Sequence, residues 1–263
     1  MDLGLKDKVA LVAAASQGLG KASALALGQE GAKLVICSRS ETNIKSAAAE
    51  IRDTTGATVL PVVADVSREE DLRRFVGTAM REFGAVHVLV NNAGGPPTGH
   101  ILTLPDEEWE RGVQLTLMSV VRLAREVLPL MQKQKWGRII TVLSFVAKQP
   151  INELLISSTL RPGIMGLTKI LSNQYAKENI TVNCVSPGSV LTKRQEELGA
   201  VRAADRKMTF EEYMAENMKG IPAGRYGRPE EIGSVVAFLA SEQASYINGV
   251  NLLADGGAVK GIS

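Results

Sequence analysis

The chain has 263 residues, with 30 Lys+Arg against 28 Asp+Glu (a formal net charge of +2), 45% hydrophobic and 22% charged residues. This composition is globular and excludes disorder, which needs low hydrophobicity with high net charge, and the near-neutral balance gives neither nucleic acid nor an anionic membrane an electrostatic footing. No apolar run reaches the 18 residues of a membrane span, and residues 1–8 carry Asp2 and Asp7 without an apolar stretch, so neither a transmembrane segment nor a signal peptide is expected.

Short apolar runs alternate with longer helical patterns along the chain. Residues 9–15 read as a first strand, and 18–31 as a helix with Ala22, Leu25 and Ala26 at helical spacing. Residues 33–37 read as a second strand, 40–55 as an Ala-rich amphipathic helix, and 58–64 as a third strand. Ser67-x-x-Glu70 has the spacing of a capping box opening the next helix. Further strands are expected at 87–90, 137–143, 180–185 and 249–253. Strands of nearly continuous apolar character, separated by helices, argue a parallel sheet covered on both faces. No Pro/Ser-rich linker or internal repeat divides the chain, so one doubly wound α/β domain is expected over residues 1–263.

Residues 192–229 stand apart as a long, charged, helix-prone segment with a second capping box, Thr209-x-x-Glu212. The segment follows a central strand on the edge where open parallel sheets hold ligands, and is expected to act as a lid, the other reading being a surface excursion. Cys37 and Cys184 lie in apolar runs and read as buried, reduced thiols of a cytoplasmic protein. With His87 and His100 they show no ligand spacing, so no metal is expected.

After the first strand comes Ala14-Ala15-Ser16-Gln17-Gly18-Leu19-Gly20. Small residues let a backbone approach a pyrophosphate, and the helix that follows offers free N–H groups and the positive end of its dipole. Alone, the cluster reads equally well as a tight strand-to-helix turn. Its company decides: Asp65-Val66 ends the third strand, Asn91-Asn92-Ala93-Gly94-Gly95 follows the fourth, and Pro187-Gly188 with Thr192 follows the sixth, all at carboxyl strand ends.

These motifs, with Gly137-Arg138-Ile139-Ile140, Ile180-Thr181-Val182-Asn183 and Asp255-Gly256-Gly257, resemble the short-chain dehydrogenase/reductase family in order and spacing over about residues 6–258, nearest to its carrier-protein 3-oxoacyl reductase branch. The resemblance implies a Rossmann-type, seven-stranded, doubly wound sheet. It implies a nicotinamide dinucleotide held by Ala14, Ser16, Gln17, Gly18, Leu19, Gly20, Ser38, Arg39, Asp65, Val66, Asn91, Ala93, Gly94, Pro187, Gly188 and Thr192. It further implies a homo-oligomer, tetramer or dimer, pairing helices at roughly 106–133 and 158–177 and the C-terminal strand region. The first glycine of the family motif is Ala14 here, whose methyl narrows the turn. An acid at the end of the second strand would bind the ribose of NAD and repel a 2′-phosphate. In its place stand Ser38-Arg39, with Arg39 suited to a bidentate phosphate contact and Ser38 as an extra donor, so NADP(H) is favoured over NAD(H). Gln17 argues the other way, since NADP-preferring relatives often carry a second base there.

The family's chemistry uses a Tyr-x-x-x-Lys pair on one helical face, a Ser after the fifth strand and an Asn on the preceding helix. The lysine lowers the tyrosine's pKa and the serine holds the substrate's carbonyl oxygen. None of the four tyrosines, Tyr175, Tyr213, Tyr226 and Tyr246, has a lysine four residues on. By register, Ser144 matches the family serine, Ser157 the tyrosine position, Arg161 the lysine and Thr116 the asparagine. A serine is a weaker acid with a shorter reach, and proton transfer needs heavy atoms about 2.6–3.2 Å apart or one water between them. Arg161 keeps a charge without releasing a proton and remains suited to a cofactor ribose or a substrate carboxylate. Pro162 disfavours helical geometry at Arg161, so the helix is expected to begin near Pro162, turning the side chains of Ser157 and Arg161 away from the family arrangement.

Two functions follow. One is an NADP(H)-dependent oxidoreductase for a small-molecule carbonyl or alcohol, with Ser144 polarising the oxygen and water, Ser157 or Lys148 carrying the proton. The other is a catalytically inactive dinucleotide-binding sensor or oligomer partner. The basic run Lys193, Arg194, Arg202, Arg206 and Lys207 is interleaved with acids and reads as a solvated face before it reads as an attractor of anionic substrate. His100, Lys148 and Glu153 read as loop surface residues, and Trp109 and Trp136 as packing.

Overall fold

A computed structural model describes residues 2–261; Met1, Ile262 and Ser263 lie outside the described residues. The strands β1 (Val9–Val12), β2 (Lys33–Ser38), β3 (Val59–Val63), β4 (Val88–Asn91), β5 (Gly137–Val142), β6 (Ile180–Pro187) and β7 (Asn251–Ala254) form one sheet in the order β3-β2-β1-β4-β5-β6-β7. Every neighbouring pair is parallel. Because strand order reverses between β3 and β4, β1 and β4 flank a switch point, where the loops leaving their carboxyl ends part and open a crevice. The helices are α1 (Gly18–Gln29), α2 (Glu41–Thr55), α3 (Glu69–Phe83), α4 (Asp106–Gly112), α5 (Ser119–Gln134), α6 (Leu155–Tyr175), α7 (Lys193–Asp205), α8 (Phe210–Met218) and α9 (Pro229–Ala240). The expected doubly wound sheet is therefore what the chain builds.

Every residue of β1, β4, β5 and β6 is buried, which is why their sequences run apolar without alternation. On one face Leu27, Ile44, Ile51 and Val236 pack against Leu34 and Ile36 of the sheet. On the other, Leu72, Phe75, Val127 and Met131 pack against Leu11 and Leu89. Each such side chain contributes roughly 1.5–3 kcal/mol relative to exposure. α1 and α9 approach closely because Gly233 has no side chain: a Cβ there would lie 2.5 Å from the carbonyl oxygen of Ala22.

Arg138 in β5 is the one charged residue of these four strands, with no exposed surface. Its Nε donates to the Ser241 carbonyl (3.2 Å), and Nη1 donates to those of Gly137 and Asn179 (both 2.9 Å). Nη2 lies 3.5 Å from a Glu242 carboxylate oxygen, and the guanidinium stacks 4.3 Å from the ring centre of Trp136. Trp136 is buried as expected, its Nε1 donating to Glu242 (2.7 Å). Cys37 and Cys184 are both buried and free, and burial pushes their thiols up to about 12 and about 11.

Three local expectations are corrected. Ser67 does not cap a helix: α3 starts at Glu69 behind Arg68, and the Ser67 hydroxyl donates to the Asp65 carboxylate instead (2.7 Å). Asp65 wins this competition because its carboxylate also takes the Ser67 N–H (2.9 Å), closing an Asx turn. The helix expected at 106–133 is not α throughout: the run is continuous but passes through a π-helical turn, Val113–Met118, between α4 and α5. The third correction concerns Pro162 and bears on the site. The Thr209 capping box is present as read, with Thr209 accepting from the Glu212 N–H (3.2 Å) and the Glu212 carboxylate accepting from the Thr209 N–H (2.8 Å).

Candidate active site

A cavity of about 1800 Å³ opens along the carboxyl edge of the sheet. Its floor begins at the turn between β1 and α1. Ala13 and Ala15 donate N–H bonds to Val90 (3.0 Å) and Cys37 (2.9 Å), pinning the turn to both neighbouring strands. Between them Ala14 takes φ +48°, a left-handed conformation that costs an L residue roughly 1–2 kcal/mol. The Ala14 carbonyl accepts from Asn92 Nδ2 (3.1 Å), which ties the turn to the end of β4. Gly20 lies beneath this arrangement and does not reach the cavity wall as a direct contact residue would. A Cβ on Gly20 would fall 2.6 Å from Asn92 Nδ2 and closer still to the Ala14 carbonyl oxygen. Ala14, Ser16, Gln17, Gly18 and Leu19 do line the wall. Gln17, the residue before α1, makes no side-chain cap bond, and the first turn holds no acid. The N–H groups and positive dipole end of α1 are therefore left for an anion, which fits a pyrophosphate.

At the end of β2 the wall continues through Ser38, Arg39, Ser40 and Asn43. Ser38, expected as an extra donor, lines the wall with its hydroxyl turned to the Ser40 carbonyl (3.2 Å). Arg39 is exposed at the rim. Asp65 and Val66 line the wall past β3, with the Asp65 N–H held by Asp71 (2.8 Å). That bond, more than any other contact, keeps the Asp71 carboxyl below the usual carboxylate range.

Past β4, it is Asn92 that faces the large cavity with Ala93, Gly94 and Gly95, whereas Asn91 turns behind it and donates from Nδ2 to Thr141 (3.2 Å). Pro187 and Gly188 line the wall beyond β6, where a Gly188 Cβ would lie 2.7 Å from Asp255 Cα. Thr192 caps α7, accepting from the Gln195 N–H (3.2 Å), and its methyl lies 3.6 Å from where a Gly18 Cβ would be. The 192–229 segment thus begins beside the glycine turn, on the same cavity wall.

The remaining residues gather at the other end of the cavity. Ser144 lines it, accepting from the Val146 N–H (3.4 Å) as the cap of a short turn, which leaves its own proton uncommitted among the described residues. α6 runs unbroken through Pro162, against the expectation that it starts there. The lost backbone bond is outweighed by packing of the same helix face, with Ile156 buried and Ile164 set among Val120, Leu143 and Cys184. Ser157 and Arg161 therefore share that face, and Arg161 Nε donates to Ser157 Oγ (3.4 Å). Arg161 reaches the large cavity, while Ser157 lies behind it. Burial first, and the charge of Arg194 second, pull the Arg161 guanidinium down to about 10, so it stays cationic at neutral pH.

Thr116 sits in the π turn, a distortion frequent at functional sites, with its hydroxyl buried and unpartnered. It shares a second cavity of about 20 Å³, room for one water, with Asn91, Asn92 and Arg161. Asn91 Oδ1 is likewise buried without a partner. His100, Lys148 and Glu153 are exposed and outside both cavities, so Lys148 is not in reach as a proton carrier. Among the described residues no tyrosine lines either cavity. Asn92, Trp109 and Arg194 line the large one and were not read as site residues. Arg194 spreads over Gly94-Gly95, with Nη2 3.4 Å from the Gly95 carbonyl oxygen. Its only sequence signal was its membership of the basic run, read first as a solvated face.

A family model described as enoyl-(acyl carrier protein) reductase matches residues 13–259. Dehydrogenase/reductase SDR family member 4 of Oryctolagus cuniculus is 34% identical over 255 residues, covering 97% of this chain and 94% of that one. The 3-oxoacyl-[acyl-carrier-protein] reductase FabG of Vibrio cholerae is 35% identical over 255 residues, covering 97% and 98%. The crystal structure of L-sorbose reductase from Gluconobacter frateurii, complexed with NADPH and L-sorbose, superposes with a TM-score of 0.96 at 33% identity, with 100% of both chains covered.

Proposed function

The chain belongs to the short-chain dehydrogenase/reductase family of NAD(P)-dependent oxidoreductases, and from that premise we propose that it is NADP(H)-dependent, acts on the carbonyl or alcohol group of a small molecule, and works with altered acid–base groups. The observation that carries this reading is one continuous wall from Arg39, through the uncapped start of α1, to Ser144 and Arg161. In this reading the α1 N–H groups hold the pyrophosphate, Arg39 with Asn43 beside it meets the 2′-phosphate, and Gly94, Pro187, Gly188 and Thr192 line the nicotinamide end. When bound, the nicotinamide supplies or takes the hydride.

Ser144 donates a hydrogen bond to the substrate's carbonyl oxygen, where negative charge gathers during reduction, and Arg161 adds a fixed positive charge to the same wall. Ser157 is screened by Arg161, so it steadies that guanidinium instead of transferring a proton. A water in the 20 Å³ cavity, held by Thr116 Oγ1 and Asn91 Oδ1, is the proton carrier that remains. The segment carrying α7 and α8 covers the site as a lid, since its first residue, Thr192, shares the cavity wall with Gly18. The expected cytoplasmic homo-oligomer belongs to the same reading, with Ile170, 56% exposed on α6, available to a second copy.

Ser144→Ala is expected to lower kcat/KM by about 10²–10³-fold, as for loss of one oxyanion donor, while NADPH affinity stays put. The assay is NADPH oxidation at 340 nm over a panel of ketones and aldehydes. An unchanged rate removes Ser144 from the mechanism. Arg39→Ala is expected to weaken NADPH about 10-fold and NADH hardly at all, the size of one charge-assisted phosphate contact at an exposed rim. Equal losses for both, by fluorescence titration, contradict the phosphate role. A second reading, dinucleotide binding without turnover, is favoured by the tyrosine-free cavity wall; NADPH binding with no oxidation across the panel would select it.

A further inference from the structure

The fold contains two buried arginines and treats them differently. Arg138 has every branch of its guanidinium engaged, by three carbonyls and a carboxylate. Arg161, only 8% exposed, has one long bond to a neutral hydroxyl, 3.4 Å from Nε to Ser157 Oγ. The ion pairs among the described residues do not include it. A guanidinium carries five N–H donors, and a buried cation is stable when those donors meet an acceptor and the charge meets a counter-charge. Both of Arg161's terminal nitrogens are thus left to whatever occupies the cavity that it lines.

A second cation stands at the same end. Arg194 on α7 lies over Gly94-Gly95 and lines the same wall. The acids on that wall lie elsewhere or are spoken for. Glu107 and Glu110 are exposed on α4, and Asp65 is at the end of β3, engaged by Ser67. Arg111, also exposed on α4, pairs with Glu108 (2.6 Å). A neutral ribose would leave the buried charge of Arg161 without compensation, with the exposed Arg194 as a second cation on the same wall.

We infer that Arg161 and Arg194 are the two arms of a site for a carboxylate carried by the substrate, so that the protein reduces or oxidises a small oxo or hydroxy acid. This rests on the oxidoreductase reading above and names its substrate class. A carboxylate matches the fork of a guanidinium with two parallel N–H···O bonds, and it supplies the charge that Arg161 lacks. Ser144 on the same wall then addresses the carbonyl of the same molecule. Arg194, sitting on the helix that opens the lid segment, lets the bound acid draw that segment inward.

The test uses the intact protein saturated with NADPH and two probe pairs, pyruvate with methyl pyruvate and 4-oxopentanoate with its methyl ester. Binding is followed by calorimetry and turnover by absorbance at 340 nm. Expected is at least a 10-fold preference for the acid in one pair, a 10-fold or greater loss of that preference in Arg161→Met, and a several-fold loss in Arg194→Met, with NADPH affinity kept. Acid and ester behaving alike in the wild-type protein overturns the inference without need of a variant. So does failure of both acids to bind below 10 mM. Arg161→Met that weakens NADPH while leaving the acid-to-ester ratio intact assigns Arg161 to the cofactor and overturns it too. Absence of NADPH binding sinks instead the oxidoreductase reading on which the inference stands.

Discussion

Gly20→Ala is expected to raise the NADPH dissociation constant at least about 100-fold, equivalent to roughly 2.7 kcal/mol, while the far-ultraviolet circular dichroism stays native. Gly20 does not touch the cavity, so the effect is one of shape. An added Cβ would lie 2.6 Å from Asn92 Nδ2 and nearer still to the Ala14 carbonyl oxygen, where real Cβ atoms are not found within 3.0 Å. Backbone stands on one side and a hydrogen-bonded amide on the other, so neither neighbour yields cheaply. The turn must shift, the Asn92–Ala14 bond (3.1 Å) breaks, and the strained φ of Ala14 loses its restraint. Titration of NADPH fluorescence measures it. A dissociation constant within threefold of wild type would mean that the turn does not set the cofactor's approach.

Arg138→Met is expected to have the opposite signature, costing about 3–5 kcal/mol of stability with cofactor affinity intact in the protein that remains folded. The carbonyl oxygens of Ser241 and Gly137 lose the Arg138 donor in a closed layer, while that of Asn179 keeps the Gly137 N–H (3.2 Å); a buried acceptor left unmade costs roughly 1–3 kcal/mol. The Glu242 carboxylate is 47% exposed and relaxes into water, so it adds little. Arg138 lies near the start of β5, the end of the sheet away from the cavity, which is why NADPH binding does not follow. The expected readout is a lower urea midpoint with an unchanged slope. Arg138→Lys does not rescue, because an ammonium cannot fan donors to carbonyls in three directions around a planar group stacked on Trp136. A midpoint close to wild type in the methionine variant would show that the carbonyls find other donors.

The strands and the glycine turn were legible because both faces of the sheet are covered and the chain must write that as unbroken apolar runs. Ser144, Arg161 and Thr116 were placed by register, and all three line cavity walls, the first two that of the large cavity and Thr116 that of the small one. Pro162 misled because a local rule about proline met a helix whose Ile156 and Ile164 are packed, and tertiary burial outweighed one missing N–H. Ser67 misled for a related reason: a hydroxyl has one proton, and which acceptor takes it depends on a neighbour's geometry that spacing does not carry. Arg194 was legible only as one charge in a mixed run. Its approach to Gly95 is made by the crossing of two distant segments, a relation no local pattern records.

The two cysteines carry a last consequence. Cys37 lies in β2 and Cys184 in β6, on opposite sides of the β1/β4 switch point, and burial raises both thiols far above neutral pH. Neither sulfur meets an alkylating reagent while the layers are closed. Each modification therefore timestamps an opening excursion of its own half, and the native molecule carries two internal stopwatches that need no engineered label.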